Sequence, residues 1–227
     1  MLRKEPVIHT DETELIVLKR DGKQVDLRSR MWVFCSGRDS ERKMSLYYHA
    51  TWSSKVVEKI LGDYSVYLQT DGYSAYNAAE KAVRVGGWAH AMRKFTECLL
   101  KGVNDKNSKV AQALELIGRI FAADEGSKNV PENEQTENRS EILRPLLDEY
   151  WKFLGTIQAA NGSNLDKAVN YFLNHKKHLN NVLLDNCIEL TNNRAERAIK
   201  PLSSDVKTGC SQTPTMVLTQ VQNATVS

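Results

Sequence analysis

The residues Tyr64-Ser65-Val66-Tyr67-Leu68-Gln69-Thr70-Asp71-Gly72 decide how the chain folds. Tyr, Val, Leu and Thr dominate the first seven, which read as a strand, and Asp71-Gly72 ends it as a turn signal. Residues 75–82 then suit a short helix, and residues 83–85 a further strand before Gly86-Gly87. Strand, helix and strand in that order form a β-α-β unit, which implies parallel strands within a mixed α/β sheet.

Working outward, residues 7–18 (V-I-H-T-D-E-T-E-L-I-V-L) are β-branched and partly alternating, as a strand should be. Asp21-Gly22 is a hairpin turn signal. Residues 31–35 and 44–50 are two more short strands, with a charged loop over 37–43 between them. The spacing predicts an antiparallel meander leading into the β-α-β unit, with a capped helix over 53–62 ended by Gly62.

From Ala89 onward the pattern is helical. Val110, Ala113, Leu114, Ile117, Ile120 and Phe121 keep helical spacing, and the acidic stretch 124–138 reads as a loop. Ile142, Leu143, Leu146, Leu147, Tyr150 and Leu154 mark another helix, with Pro145 placed near its first turns, where proline is tolerated. Ser163-Asn164-Leu165-Asp166 resembles a capping box before a further amphipathic helix.

A chain of 227 residues makes one domain, or one domain with a sizeable insertion, and can bury a real core. At 41% hydrophobic and 26% charged it is ordinary for a globular protein, so wholesale disorder is excluded. The net charge of +3 neither demands nor excludes nucleic acid; any basic surface must be local. Four scattered cysteines form no C-x-x-C pair, which argues against zinc knuckles and disulfides and for a reducing cytoplasm. The first residues carry charge but no apolar h-region, so no signal peptide is expected, and no apolar run is long enough to span a membrane. No glycine-rich phosphate loop or nucleophile elbow is present, and His175 and His178 read as surface residues.

The acids are more informative. Asp11-Glu12 interrupts an apolar strand, and Asp71 sits at the C-terminal edge of another. On one sheet edge such carboxylates repel and raise each other's pKa, which a fold tolerates when a divalent cation neutralises them. Oxygen-only ligands suit Mg²⁺ or Mn²⁺, and a pair of such ions supports phosphoryl transfer. Glu196 is a candidate third carboxylate. The plainer alternative is that Asp before Gly is simply a turn residue.

Four blocks then stand out in order: His9-Thr10-Asp11-Glu12-Thr13; Thr70-Asp71-Gly72-Tyr73-Ser74-Ala75-Tyr76-Asn77; Gly87-Trp88-Ala89-His90-Ala91-Met92-Arg93-Lys94-Phe95; and Asn192-Asn193-Arg194-Ala195-Glu196-Arg197-Ala198-Ile199-Lys200-Pro201. Together they resemble the signature blocks of the insertion-sequence-66 family of bacterial transposases. Gly87 and Met92 depart from the family's usual Cys and Arg. The resemblance implies a DDE catalytic core on an RNase H-like fold, with a helical insertion before the last acid. It implies Asp11, Asp71 and Glu196 as catalytic, metal-holding acids for two Mg²⁺ or Mn²⁺ ions, with Glu12 left as the alternative first acid. It implies DNA at element ends and targets as partner, and a homo-oligomer or accessory element-encoded proteins as further partners; Lys94, Arg194, Arg197 and Lys200 are the candidates for phosphate contacts, an ordinary solvated helix face being the alternative for Arg194 and Arg197. Trp88 reads as core, and His90 either as an active-site helper or as a structural histidine.

The expected organisation is residues 1–100 as the first part of the core, 101–185 as the helical insertion with its polar loop over 124–138, 186–203 as the final catalytic helix, and 204–227 as a tail. The expected activity is metal-dependent DNA cleavage and strand transfer; a non-catalytic transposase remnant and a stand-alone RNase H-like nuclease are the alternatives. Two features predict impairment. The chain starts almost at the first acid, where the family carries an N-terminal DNA-binding region. After Pro201 its character changes: one permitted coding of residues 204–213, read from its third base, gives G-R-K-N-W-L-F-S-N, the family's continuation. Residues from about 204 are therefore expected to be frameshifted and loosely held.

Overall fold

The computed structural model describes residues 2–20, 23–38, 44–49, 54–99, 105 and 107–208. Strand β1 (Val7–Arg20) pairs antiparallel with β2 (Lys23–Ser36), and β2 with β3 (Met44–His49). Helix α1 (Lys55–Leu61) leads to β4 (Tyr67–Thr70), which lies parallel to β1. A 3₁₀ turn over Ser74–Ala78 precedes β5 (Val83–Gly86), and the sheet order is β3-β2-β1-β4-β5. The mixed sheet and its antiparallel meander are as the sequence indicates. The turn at Asp21-Gly22 and most of the 37–43 loop lie outside the described residues.

Alternation along β1 assigns its side chains to two faces. Ile8, Thr10 and Glu12 stand opposite Ser36, Phe34 and Trp32; His9, Asp11 and Thr13 stand opposite Cys35, Val33 and Met31. On the first face Ile8, Trp32, Phe34 and Leu68 pack with Val57, Ile60, Leu61 and Tyr76 from α1 and the 3₁₀ turn. On the second face Val33 and Cys35 pack against Ala195 and Ile199 of α6 (Asn193–Thr208). Each fully buried large apolar side chain contributes about 1.5–3 kcal/mol. Among the described side chains α6 buries only Ala195 and Ile199, so polar ties matter more to its placement than to that of α1.

The chain divides into two compact units, Met1–Val83 with Asn192–Ser227, and Arg84–Thr191. The second unit holds α2 (Trp88–Leu99), α3 (Lys109–Gly126), α4 (Gln135–Leu154) and α5 (Asn164–Asn180). Its core gathers around Trp88, which is fully buried. The indole Nε1 donates to Leu179 O at 3.1 Å, with Tyr150, Trp151 and Phe172 rings 5.5–5.9 Å away. Trp88 is thus core, as its sequence context suggests. Gly86 packs closely here: a Cβ would stand 3.1 Å from Leu179 Cδ2, so a larger residue needs Leu179 to give way by a few tenths of an ångström.

Several expected boundaries move. Tyr64 is not in β4; it is buried, and its hydroxyl donates toward the carbonyls of Glu5 and Tyr67. The expected helix over 75–82 is the shorter 3₁₀ turn. The stretch 124–138 is not one loop. Asp124 lies in the last turns of α3, and Gln135 already opens α4. The reason is a buried ion pair: Arg139 Nε donates to Asp124 Oδ1 at 2.6 Å, and its Nη1 donates to Val182 O and Asp185 O. Because α4 starts at Gln135, Pro145 lies inside the helix rather than near its first turns. Ser163 does cap α5, its Oγ accepting from Asp166 N, but Asp166 returns its carboxylate to Gly162 N. His175 is half-buried, not on the open surface, stacked on Tyr171 with centroids 4.3 Å apart. The last helix runs over Asn193–Thr208, so the first residues of the expected tail are helical and residues 209–227 lie outside the described residues. Among the described residues no helix is long and apolar enough to cross a membrane.

Candidate active site

The site forms where β4 ends and β1 continues. Their parallel register runs Val7↔Tyr67, Ile8↔Leu68, His9↔Gln69. Two steps further, Asp11 falls opposite Asp71, the residue just past the end of β4. In open α/β sheets ligands bind beyond the carboxyl ends of strands, which is where Asp71 stands, with Asp11 beside it on the longer β1. The backbone turns at once: Gly72 adopts φ 98°, a left-handed conformation that glycine takes without steric cost. Tyr73 N donates to Asp71 Oδ1 at 3.1 Å, an Asx turn that orients the carboxylate.

Asp11 and Glu12 point to opposite faces of β1 by alternation, yet both carboxylates return to this edge. One oxygen from each of Asp11, Glu12 and Asp71 lies within 4.8 Å of the other two. Among the described residues no other trio of His, Cys, Asp or Glu converges so closely. The Asp11 carboxyl is raised from 3.8 to about 7, first by burial, then by the charges of Asp71 and Glu12. Glu12 N donates to Asp11 Oδ1 at 2.9 Å and opposes the rise; Glu196 adds to it. The field of Glu196 therefore reaches Asp11 from the first turn of α6.

Asn192 places that turn. It is buried at the start of α6, its carbonyl accepting from Glu196 N at 3.2 Å. Its Nδ2 donates to Thr10 O at 2.8 Å, and its Oδ1 lies 3.3 Å from His9 Nδ1. Two bonds to β1, one residue and two residues before Asp11, thus tie the Glu196 helix to the acidic edge. Glu12 is held from the other face, where the buried Tyr76 hydroxyl donates to Glu12 Oε2 at 2.7 Å and accepts from Thr10 Oγ1 at 3.0 Å.

A model of the family described as Transposase IS66 family matches residues 1–209. The chain belongs to that family. Two curated relatives come from Sinorhizobium fredii (strain NBRC 101917 / NGR234). The protein designated y4qI is 27% identical over 210 residues, covering 86% of this chain and 38% of the relative. The protein designated y4hP is 25% identical over 219 residues, covering 86% of this chain and 39% of the relative. The chain thus spans under two fifths of the length of these relatives. No solved structure matches it.

The other residues singled out in the sequence divide between the units. Arg194, Arg197 and Lys200 share α6 with Glu196; Arg194 is half-buried, while Arg197 and Lys200 are exposed. Arg197 Nε donates to Asn193 O at 3.2 Å. Lys94 and His90 lie on α2 of the second unit, both against Tyr171: the Lys94 Nζ is 5.8 Å and the His90 ring 5.7 Å from its centroid. Asn192 and Tyr76 were legible only as members of their blocks. The signal for Asn192 was a capping-type residue immediately before a helix; for Tyr76 there was none, because its partner lies 64 positions away in the chain.

Proposed function

We propose that this chain is the catalytic region of a DDE-type transposase, built on an RNase H-like core, with DNA as its substrate. The observation that carries the reading is the convergence of Asp11, Asp71 and Glu12 at the carboxyl edge of a parallel strand pair, with Glu196 acting on Asp11 from α6. Like charges held this close are costly without a counter-ion. The donor set is all carboxylate oxygen, which fits Mg²⁺ or Mn²⁺ and not a soft metal. Asp11, Asp71 and Glu196 are the residues we assign to hold the ions.

When bound, a divalent pair supplies charge neutralisation at the attacking and leaving oxygens of an in-line phosphodiester displacement. The protein's own contribution is positional. The Gly72 turn and the Tyr73 N–H aim Asp71, the Glu12 N–H aims Asp11, and Asn192 sets the height of Glu196 above the edge. The nucleophile is water in the cleavage step and a DNA 3′-hydroxyl in strand transfer. Arg194, Arg197 and Lys200 on α6, and Lys94 on α2, are assigned to backbone phosphates, contacts that position DNA without reading its sequence.

The test is a cleavage assay on element-end DNA and on an RNA–DNA hybrid, with Mg²⁺ or Mn²⁺, for the wild type and Asp71→Asn. The reading predicts DNA cleavage that disappears in Asp71→Asn. Cleavage confined to the RNA strand assigns a stand-alone RNase H-like nuclease instead, and cleavage of neither substrate assigns a non-catalytic remnant.

A further inference from the structure

We infer that Glu12 is a fourth carboxylate of the ion-binding edge and that Tyr76 is the positioning residue that keeps it there. This rests on the metal-binding reading above and extends it: Glu12 acts beside Asp11 rather than in place of it, and Tyr76 gains a role. Glu12 stands on the face of β1 opposite Asp11, paired with Trp32 across the strands, so nothing in strand geometry alone brings its carboxylate to Asp11 and Asp71. Repulsion from those two acids would turn the long, flexible side chain away. It does not turn away: one of its oxygens stays within 4.8 Å of theirs.

The cause is visible. Tyr76 is fully buried, its ring fixed edge-on to Trp32 at 5.6 Å and to Tyr73 at 6.1 Å. Its hydroxyl is oriented at both ends: Thr10 Oγ1 donates to it, and it donates to Glu12 Oε2 at 2.7 Å. A charge-assisted bond of this length is among the stronger ones a neutral donor makes. A carboxylate has two oxygens and about four acceptor sites, so Tyr76 fixes Glu12 while leaving it capacity for an ion. If packing alone mattered, phenylalanine would fill the same space without a buried hydroxyl to satisfy. The chain Thr10–Tyr76–Glu12 orients a ligand as outer-shell partners do at other metal sites.

The test is the affinity of the full chain for Mn²⁺, followed by electron paramagnetic resonance of the free ion, with circular dichroism to confirm folding. Outer-shell changes typically weaken metal affinity 10–100-fold, so Tyr76→Phe is expected to weaken Mn²⁺ binding about tenfold. Glu12→Gln keeps the side-chain shape and an acceptor for Tyr76, and is expected to weaken binding at least as much. The double variant should match Glu12→Gln alone, because Tyr76 acts through Glu12. Thr10→Val provides a second route, shifting affinity in the same direction in the wild-type background and not in Glu12→Gln. Wild-type affinity in folded Tyr76→Phe, or in Glu12→Gln, overturns the inference, as does a double variant showing the product of the two losses. Asp11→Asn separates the layers: if it abolishes Mn²⁺ binding while Glu12→Gln does nothing, only this inference fails; if Asp11→Asn also binds normally, the metal-site reading itself fails.

Discussion

Without divalent ions, this protein should lose stability as the pH rises through neutrality, and Asp11 should be the reason. Its carboxyl is raised from 3.8 to about 7 in the folded chain. Between those values the folded state binds a proton that the unfolded chain has released, so stability falls as pH rises across about pH 4–7 and the loss is complete above it. Three units correspond to about 4 kcal/mol as a ceiling. Asp11 is only half-buried by surface exposure, and solvent screening lowers that figure; about 2–4 kcal/mol is a fair expectation. About 60% of that loss falls between pH 5 and pH 8, so at roughly 2–4 °C per kcal/mol for a chain of this size the melting temperature should drop about 2–10 °C over that interval. The assay is a set of thermal melts at both pH values for the wild type and Asp11→Asn, with chelator or with Mn²⁺. Asparagine keeps the acceptor for Glu12 N and removes the charge, so Asp11→Asn should melt higher than wild type at pH 8 in chelator, and by a smaller margin at pH 5. The wild-type-minus-variant difference also removes the opposing trend of His178, whose pKa burial holds below the usual value. Mn²⁺ should restore the wild type at pH 8, do little at pH 5, and leave Asp11→Asn unmoved. A difference that does not change with pH, or an equal Mn²⁺ effect in both proteins, would refute the electrostatic argument.

Three other outcomes follow from particular contacts. Asn192→Ala removes the buried bond to the Thr10 carbonyl and the contact with His9 Nδ1; it should cost about 1–3 kcal/mol in a urea titration, and should lower any catalytic rate by more than that loss explains. Arg139→Met takes from the buried Asp124 carboxylate its partner at 2.6 Å and leaves it Lys128 at 3.8 Å, so it should destabilise toward the lower end of about 3–5 kcal/mol, whereas Asp124→Asn together with Arg139→Met should recover part of that loss in the same melts. DNA binding by this chain should be weak and steeply salt-dependent, with each of Lys94→Ala and Arg197→Ala reducing the slope of log affinity against log salt by about one, as read by fluorescence anisotropy.

How much of this was legible in the sequence depends on how local the cause is. The strand ending at Thr70, its Asp-Gly turn and the acid opposite on β1 are read from adjacent residues, and they carry the geometry of the site. The parity of Asp11 and Glu12 was not legible, because strand alternation says which face each leaves from but not that a tyrosine 64 positions on pulls Glu12 back. The stretch 124–138 reads as loop by composition, yet Asp124 and Arg139 are partners across it and carry helix into both of its ends. Pro145 misled in the same way: a helix start inferred from proline tolerance lay too far along, since α4 already opens at Gln135. The Asn192 tie from α6 to β1 spans 182 positions, and no periodicity announces it.

At the centre of the proposal, Asp11 and Asp71 together hold a divalent ion at the carboxyl end of β4, where β1 runs alongside. The most direct measurement is anomalous diffraction from crystals of the full chain grown with Mn²⁺. The account predicts an anomalous peak within bonding distance of both carboxylates, with Glu12 or Glu196 completing the oxygen shell, and its loss in Asp71→Asn. A structure in which the edge stays free of Mn²⁺ at millimolar concentration, with Asp11 and Asp71 still opposed and ordered, would contradict it.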